Sequence, residues 1–472
     1  MIRRSARRTA GILGSAAILG AATFGAPGPA AALAPPVIDM GALGAAQGLS
    51  GRAAPLEPTE QRVLCSEPQL SGPQSEPPIA QRVLDLPSAW QFSRGAGQKV
   101  AVIDTGVNHH PRLPALQPGG DYVSDSDGTV DCDGHGTFVA GIIAAKPSPD
   151  DGFAGVAPEA EILSIRQLSL AYEPKDRRAA QGASGEMAES GYGSVLTLAA
   201  AVVRAVDLGA TVINVSEVAC STAGSDSADA SLGAAVKYAF ERNVVVVAAA
   251  GNLSSQGACQ QQNERSGWNA VSTVATPAWF APYVLSVASV DPDGAPSALS
   301  LAGPWVGAAA IGRSIVSLDS KPGGTGLVDR VQTSDGPMPI EGTSFAAPYV
   351  AGLAALVRAR FPELSAAQVM DRIVRTAQRP GTGRDDRIGA GLINPVAALT
   401  AELAAVGPGG DAVARPLPAS VRAPGPDPLP RRIAVIGSIT CLALLGIGAA
   451  IAIPFRRTRN DDLPDLDSDN EL

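Results

Sequence analysis

The stretch KVAVIDTGV at residues 99–107 decides the fold. Its run of apolar residues predicts a buried strand, and Asp104 and a glycine-containing turn follow immediately. Four other segments are apolar in the same continuous way, at 161–165, 211–215, 244–249 and 284–290. Strands without polar alternation are typical of a parallel sheet that is covered on both faces.

Helical patterns separate these strands along the chain. They predict helices at 86–94, 136–145, 195–208, 231–242, 344–360 and 365–376. The last of these opens with Ser365, a residue type that caps helix N-termini. The alternation predicts an α/β domain with a mainly parallel central sheet and helices on both faces. In such domains sites lie at the carboxyl ends of strands, and both Asp104 and Asn252 follow a predicted strand.

The two ends of the chain carry signals for export and membrane insertion. Arginines at the N-terminus precede an apolar stretch and then small residues, so residues 1–34 are predicted to be a secretory signal peptide. Residues 433–453 are 21 residues without a charge, which is enough for a helix of about 30 Å. We predict one transmembrane helix there. The arginine bias puts the bulk of the chain outside the cytoplasm and the acidic tail, residues 454–472, inside it.

Composition divides the remaining residues into three parts. Residues 35–79 are polar and proline-rich with little periodicity, which predicts an extended N-terminal arm. Residues 80–402 form the predicted main domain, and the Pro- and Gly-rich residues 403–432 form a linker. The net charge of -9 and the lack of a basic face argue against a nucleic acid partner.

The chain has five cysteines, of which Cys441 lies within the predicted membrane span. The other four are Cys65, Cys132, Cys220 and Cys259. An even number in an exported chain predicts two disulfides, and three pairings are possible. No two cysteines have C-x-x-C spacing, so a metal site is the less favoured interpretation, and we predict neither metal nor cofactor.

The positions of the histidines indicate which of them could act as a general base. His109 and His110 lie in the turn-like segment NHHP, which predicts a surface loop. His135 lies between two glycines at the start of the apolar pattern FVAGIIAA, so it is predicted to begin a helix. A helix N-terminus disfavours the charged form of a histidine. His135 is therefore the candidate general base.

Peptide hydrolysis by a serine needs a base, a carboxylate that orients the base, and donors for the oxyanion. Ser344 lies in the segment GTSFAAP, where a glycine precedes it and Pro348 fits a first helical turn. Asp104 follows a rigid strand, and the side-chain amide of Asn252 is a candidate oxyanion donor. Taken singly, Ser344 could be an ordinary N-cap and Asp104 a turn residue, so the argument depends on their occurring together.

Four blocks of sequence together resemble the subtilisin-like serine proteases. They are VAVIDTGV (100–107), DGHGTFVAGIIAA (133–145), AAAGN (248–252) and GTSFAAPYVAGLAAL (342–356). Their chain order of Asp, His, Asn and Ser is that of the family. The resemblance implies a three-layer subtilisin-like fold in which Asp104 orients His135 and His135 activates Ser344. It also implies that Asn252 and the N–H of Ser344 form the oxyanion hole.

The predicted substrate-binding segment departs from that family's usual pattern. Most subtilisins have Ser-x-Gly-Gly after an asparagine, whereas this chain has NVSEVAC at 214–220. Ser216, Glu217 and Val218 would line the groove, where substrate would lie as an added strand. Because bulk replaces glycine and Glu217 adds a charge, we expect a narrow range of protein or peptide substrates.

This segment, the cysteine positions, the linker and the C-terminal span together resemble the mycosins, the membrane-anchored subtilisin-like proteases of type VII secretion systems. The resemblance implies an extracytoplasmic protease that processes selected secretion substrates and has membrane-embedded secretion components as partners. An alternative is a structural component of that complex in which proteolysis is secondary. The resemblance also implies the pairs Cys65–Cys132 and Cys220–Cys259, which would make the arm a permanent structural wrap.

Two polar segments each have two possible interpretations. Residues 169–194 are long for a connection and are either a functional or a disordered loop. The acidic segment from Asp125 to Asp131 has a faint calcium-loop character, but a solvated acidic loop is the favoured interpretation.

Overall fold

The computed structural model describes residues 34–72, 74–176, 191–225, 229–254, 259–333, 336–381 and 383–403, together with Leu444. The predicted signal peptide, linker, transmembrane helix and acidic tail fall almost entirely outside the described residues. Across the described ranges, no helix has both the length and the apolar character that crossing a bilayer requires. The main compact unit ends at Leu403.

Fifteen strands are found in the described residues: β1 Thr59–Gln61, β2 Pro68–Leu70, β3 Lys99–Asp104, β4 Leu116–Asp121, β5 Glu161–Arg166, β6 Tyr172–Pro174, β7 Val212–Val215, β8 Ala219–Thr222, β9 Val245–Ala249, β10 Thr273–Thr276, β11 Val284–Val290, β12 Val306–Ile311, β13 Ser317–Leu318, β14 Leu327–Thr333 and β15 Gly336–Pro339. The α-helices of the same residues are α1 Leu43–Ser50, α2 Ile79–Val83, α3 Leu86–Ala89, α4 His135–Ala144, α5 Val195–Asp207, α6 Ala230–Glu241, α7 Thr343–Arg360, α8 Ala366–Thr376 and α9 Pro395–Thr400.

Seven strands form the central sheet in the order β12-β11-β9-β7-β3-β5-β4. Every neighbouring pair in it is parallel. The predicted parallel α/β sheet is therefore confirmed, and the five predicted strands are β3, β5, β7, β9 and β11. Helices α4 to α8 likewise lie within a residue or two of their predicted bounds. Helices α5 and α8 are amphipathic, whereas α4 and most of α7 are buried on all sides.

The sheet has a separate hydrophobic core on each face. Along β3, Val100 and Val102 belong to one core, while Ala101 and Ile103 belong to the other. Successive strand side chains point to opposite faces, so a strand that is apolar throughout needs a cover on both sides. Helices α4, α7 and α8 cover the first face, and α5 and α6 cover the second. The molecule therefore has the predicted three layers.

The strand order determines where the candidate residues meet. Strands β9, β7 and β3 are neighbours and run in the same direction. Asn252 follows β9, Ser216 follows β7, and Asp104 is the last residue of β3. These three residues therefore reach one edge of the sheet from three adjacent strands.

The N-terminal arm is more structured than its composition predicts. An extended conformation is wrong for Leu43–Ser50, which form α1, because Ala46 of that helix is buried in the core beneath α5 and α6. Farther along, β1 pairs with β6 and β2 pairs with β14. Tertiary contacts thus order a segment whose weak periodicity predicted none. The prediction for 86–94 is also too long, since α3 ends at Ala89.

Candidate active site

Asp104 is fixed by its position at the end of β3. Its carboxylate is fully buried, and its Oδ1 accepts a hydrogen bond from the backbone N–H of Thr105 at 2.8 Å. The same oxygen lies 2.7 Å from Nδ1 of His135. Its other oxygen, Oδ2, is buried and has no hydrogen-bond partner within the described part of the chain. The predicted carboxylate–imidazole pair is therefore present in the structure.

His135 is the first residue of α4, and glycines make its approach to Asp104 possible. Gly134 has φ +82°, in the left-handed region that favours glycine. A Cβ on Gly136 would lie 3.1 Å from both Cβ and Oδ1 of Asp104 and would also meet the carbonyl oxygen of Gly106. The glycines on either side of the histidine thus let helix and strand come together closely enough for the hydrogen bond.

A second buried carboxylate, that of Asp131, forms hydrogen bonds that position the segments on which Asp104 and His135 lie. Its Oδ1 accepts hydrogen bonds from the Thr105 hydroxyl at 2.9 Å and from the N–H of Gly134 at 2.7 Å. Its Oδ2 accepts from the N–H and the hydroxyl of Thr137 at 2.9 and 2.6 Å. The solvated-loop interpretation is therefore wrong for Asp131, which ties the residue after Asp104 to the first turn of the helix that carries His135.

Ser344 lies in the first turn of α7 and is buried. The ring of the next residue, Phe345, packs against the His135 ring with centroids 4.9 Å apart. The Ser344 hydroxyl and Nε2 of His135 are not hydrogen-bonded in this structure, although the two helix starts are in contact. Such bonds are often long in free enzymes and shorten when substrate binds.

Asn252 is held in one orientation by the residue before Ser344. Its Oδ1 accepts from the N–H and the hydroxyl of Thr343 at 2.8 and 3.0 Å. The amide nitrogen is thereby turned to the side where Ser344 lies: a Cβ on Gly342 would be 3.2 Å from Nδ2 of Asn252 and 3.0 Å from Oγ of Ser344. The N–H of Ser344 has no acceptor among the described residues. Two donors are thus available beside the hydroxyl.

The segment after β7 forms one wall of the site. The hydroxyl of Ser216 is buried, accepts from Asn214 at 2.8 Å and donates to the carbonyl oxygen of Ser344 at 2.7 Å. Glu217 has its Oε1 3.4 Å from Nδ1 of His135. Val218 is partly buried against the core. Ser216 therefore fastens the wall to the start of α7, and Glu217 reaches the histidine, a contact that sequence spacing could not reveal.

The electrostatics around His135 are opposite to the helix-dipole prediction. Burial lowers the pKa of His135, but the nearby carboxylates of Asp104 and Glu217 raise it by more, so its pKa lies well above the usual value. The pKa of Glu217 is raised by burial and by the negative charges of Asp104 and Asp133, although His135 opposes this. The dipole prediction is wrong because two carboxylates at close range outweigh a helix terminus.

Other candidate residues lie apart from this pair. The surface-loop prediction holds for His109, which is exposed, and is wrong for His110, which is buried and accepts the N–H of Arg112 through Nδ1 at 3.1 Å. The carboxylate and imidazole atoms of Asp104, His135 and Glu217 lie within 4.8 Å of one another, which reflects the contacts of His135 with the two carboxylates described above. Most of the 169–194 loop lies outside the described residues.

Two disulfides link the described cysteines. Cys65 is bonded to Cys132 and Cys220 to Cys259, with Cα atoms 4.5 and 5.3 Å apart. The pairing that the family resemblance implied is confirmed. Since Cys132 lies three residues before His135, the first bond attaches the arm beside the candidate site.

Comparison with known proteins identifies close relatives over nearly the whole chain. Residues 95–391 match the model of the subtilase family. Mycosin-1 of Mycobacterium tuberculosis is 47% identical over 90% of this chain and 93% of its own. The crystal structure of MycP1 from Mycobacterium smegmatis has a TM-score of 0.72 at 45% identity and covers 79% of this chain and 96% of that one. A chain in the structure of an intact ESX-5 inner membrane complex has a TM-score of 0.73 at 40% identity, with 89% and 100% covered.

Proposed function

Because the chain belongs to the mycosins, within the subtilase family of serine endopeptidases, we propose that Asp104, His135 and Ser344 are its catalytic triad. The observation that carries this assignment is the 2.7 Å contact between Asp104 and Nδ1 of His135. It leaves Nε2 as the ring nitrogen that can act on the hydroxyl of Ser344, whose helix packs against the ring through Phe345.

The proposed reaction proceeds through an acyl-enzyme. His135 takes the proton of Ser344 as the hydroxyl oxygen attacks the scissile carbonyl carbon, and Asp104 stabilises the imidazolium that forms. The negative carbonyl oxygen is bound by Nδ2 of Asn252 and the N–H of Ser344, the two donors beside the hydroxyl. The imidazolium then protonates the leaving amine, and a water that His135 deprotonates releases the acyl group.

Substrate would bind in extended form beside residues 215–218. Ser216 contributes by fixing the backbone of this wall to Ser344, while Val218 puts a side chain where most subtilisins have glycine and Glu217 adds a negative charge. A wall with this bulk and charge supports cleavage of a few selected sequences rather than general degradation.

We further propose that the protease is exported and anchored by residues 433–453, with its catalytic domain on the extracytoplasmic side. The charge-free sequence of that segment and the disulfides support this, because disulfides persist in oxidising compartments. Relatives include chains from the ESX-5 inner membrane complex and its periplasmic assembly. Selected substrates of a type VII secretion system, and its membrane components, are therefore the proposed partners.

Labelling with an active-site phosphonate tests the triad. The wild-type chain should be labelled on Ser344 and lose peptidase activity, whereas Ser344→Ala should take up no label and cleave nothing above background. Labelling at another residue, or peptide cleavage by Ser344→Ala at the wild-type rate, would refute the assignment.

A second role, as a structural component of the secretion complex, is favoured by relatives solved inside such assemblies. Replacing the chromosomal copy with Ser344→Ala separates the two. Secretion that persists without substrate processing would assign assembly to the fold and processing to the triad. Secretion lost in Ser344→Ala as completely as in a deletion strain would count against an independent structural role.

A further inference from the structure

Glu217 stands at the mouth of the proposed site with its charge directed at the base. Its Oε1 is 3.4 Å from Nδ1 of His135, and the two side chains are 25% and 22% exposed. Asp104, on the other side of the same nitrogen, is fully buried. Glu217 is therefore the carboxylate of this pair that an incoming substrate can reach.

The residue before Glu217 connects this segment to the start of α7. The preceding residue, Ser216, is buried and bonded to the carbonyl oxygen of Ser344 at 2.7 Å. A substrate strand beside this segment would run past Glu217 on its way to the nucleophile. Its side chains would alternate in direction, so at least one near the scissile bond would face the carboxylate.

The charges around Glu217 are nearly all negative. Asp104 and Asp133 act on it from β3 and from the turn before α4, and Asp131 adds to the field at His135. Among the described residues, no lysine or arginine forms an ion pair with Glu217, whose ionic partner there is His135. The ionised form of a partly desolvated carboxylate with negative neighbours is stabilised when a cation binds to it.

Resting on the proposed triad, we propose that Glu217 is a specificity-determining residue that binds a lysine or arginine side chain of the substrate, on the acyl side of the scissile bond. The same contact neutralises the charge of Glu217, which otherwise stabilises the protonated form of His135. With Glu217 ionised and unengaged, its charge keeps a proton on the imidazole, and a protonated imidazole cannot act as the base. A substrate cation neutralises that charge and restores the base, so binding the correct sequence also increases turnover.

The test uses the full chain and a positional library of internally quenched peptides. Lysine, its uncharged analogue norleucine, or glutamate is placed at each of the four positions before the scissile bond. At one of these positions the wild type should prefer lysine over norleucine by about tenfold or more in kcat/KM. Glu217→Gln should reduce that ratio to about one.

A pH profile separates specificity from mere structural support. For the norleucine peptide, Glu217→Gln should move the acid limb of kcat/KM to lower pH by about one unit, with roughly tenfold faster cleavage below that limb. Glu217→Asp, which keeps the charge on a shorter side chain, should retain part of the lysine preference. Asp371→Asn, on the exposed face of α8, is the matched control for a change of one charge and should behave as wild type.

The possible results distinguish an error in the role of Glu217 from an error in the triad. An unchanged lysine preference in Glu217→Gln, an equal loss of activity toward both peptides, or an unmoved acid limb would each overturn the role of Glu217. If Glu217→Gln fails to fold, the wild type and Glu217→Asp decide: no lysine preference in either overturns it. Failure of the wild type to react with phosphonate or peptide would overturn the triad itself, whereas phosphonate labelling without lysine preference overturns the inference alone.

Discussion

Replacing Asn252 by aspartate tests the oxyanion hole without removing the hydrogen bonds that hold residue 252 in place. Aspartate keeps the oxygen that accepts from Thr343 at 2.8 and 3.0 Å, so the residue stays anchored. It exchanges the N–H₂ group for a second oxygen, which donates nothing and repels the developing charge. One of two donors, the other being the N–H of Ser344, is thereby lost.

The magnitude follows from the loss of that donor. Removing a single oxyanion donor costs about 10²–10³ in kcat, or about 2.7–4 kcal/mol of transition-state stabilisation. We expect Asn252→Asp to lose at least this much, because a carboxylate adds repulsion. KM should change little, since the charge develops only in the transition state.

Asn252→Ala provides the comparison. Alanine removes the donor and also leaves the N–H of the buried Thr343 without its acceptor, which costs about 1–3 kcal/mol of unfolding free energy. Steady-state kinetics with a quenched peptide and urea unfolding should therefore show a loss of kcat in both variants and a loss of stability mainly in Asn252→Ala. A kcat for Asn252→Asp within tenfold of wild type would refute the proposed oxyanion hole.

Two further predictions concern the frame of the site. Replacing Cys65 and Cys132 by serine opens a link across 67 residues, whose chain-entropy contribution is about 4 kcal/mol. Denaturant unfolding should show a loss of up to this size, and a loss below about 1 kcal/mol would mean that strand pairing alone holds the arm. Gly136→Ala puts a Cβ into the carbonyl oxygen of Gly106 and 3.1 Å from Oδ1 of Asp104, so the start of α4 must shift away from β3, the imidazole moves with it, and kcat should fall about tenfold or more. Wild-type kinetics in Gly136→Ala would show that the pair has more room than the structure gives it.

The sheet and its helices were predictable because their signals are local. Continuous apolar segments such as 284–290 predict buried parallel strands, and the structure has β11 at Val284–Val290. The same reasoning failed for Leu43–Ser50, since α1 depends on packing against α5 and α6 that no local pattern encodes. Propensity is a weak signal where burial by distant elements decides the conformation.

The residues of the candidate site could be predicted from the sequence, but the effects of their charges on one another could not. Residue types and order predicted Asp104, His135, Asn252 and Ser344, which the fold brings to one edge of the sheet. The contact of Glu217 with His135 joins the segment after β7 to the start of α4, and only the strand order makes them neighbours. For this reason the sequence predicted a charge in the groove but not its effect on the pKa of the base.

Asp131 shows how a residue of the frame can be mistaken for a loop residue. Its carboxylate accepts the free N–H groups of Gly134 and Thr137 at the start of α4, although it lies three residues before the N-cap position, Gly134, where capping side chains are expected. Because it also holds Thr105, whose hydroxyl in turn accepts the N–H of Gly136 at 2.9 Å, the relative position of strand and helix is fixed by the four hydrogen bonds of Asp131 and by this fifth bond, besides the one between Asp104 and His135. The pair can therefore be perturbed electrostatically without being displaced, so that a substrate charge at Glu217 would alter the basicity of His135 while the ring remains aligned.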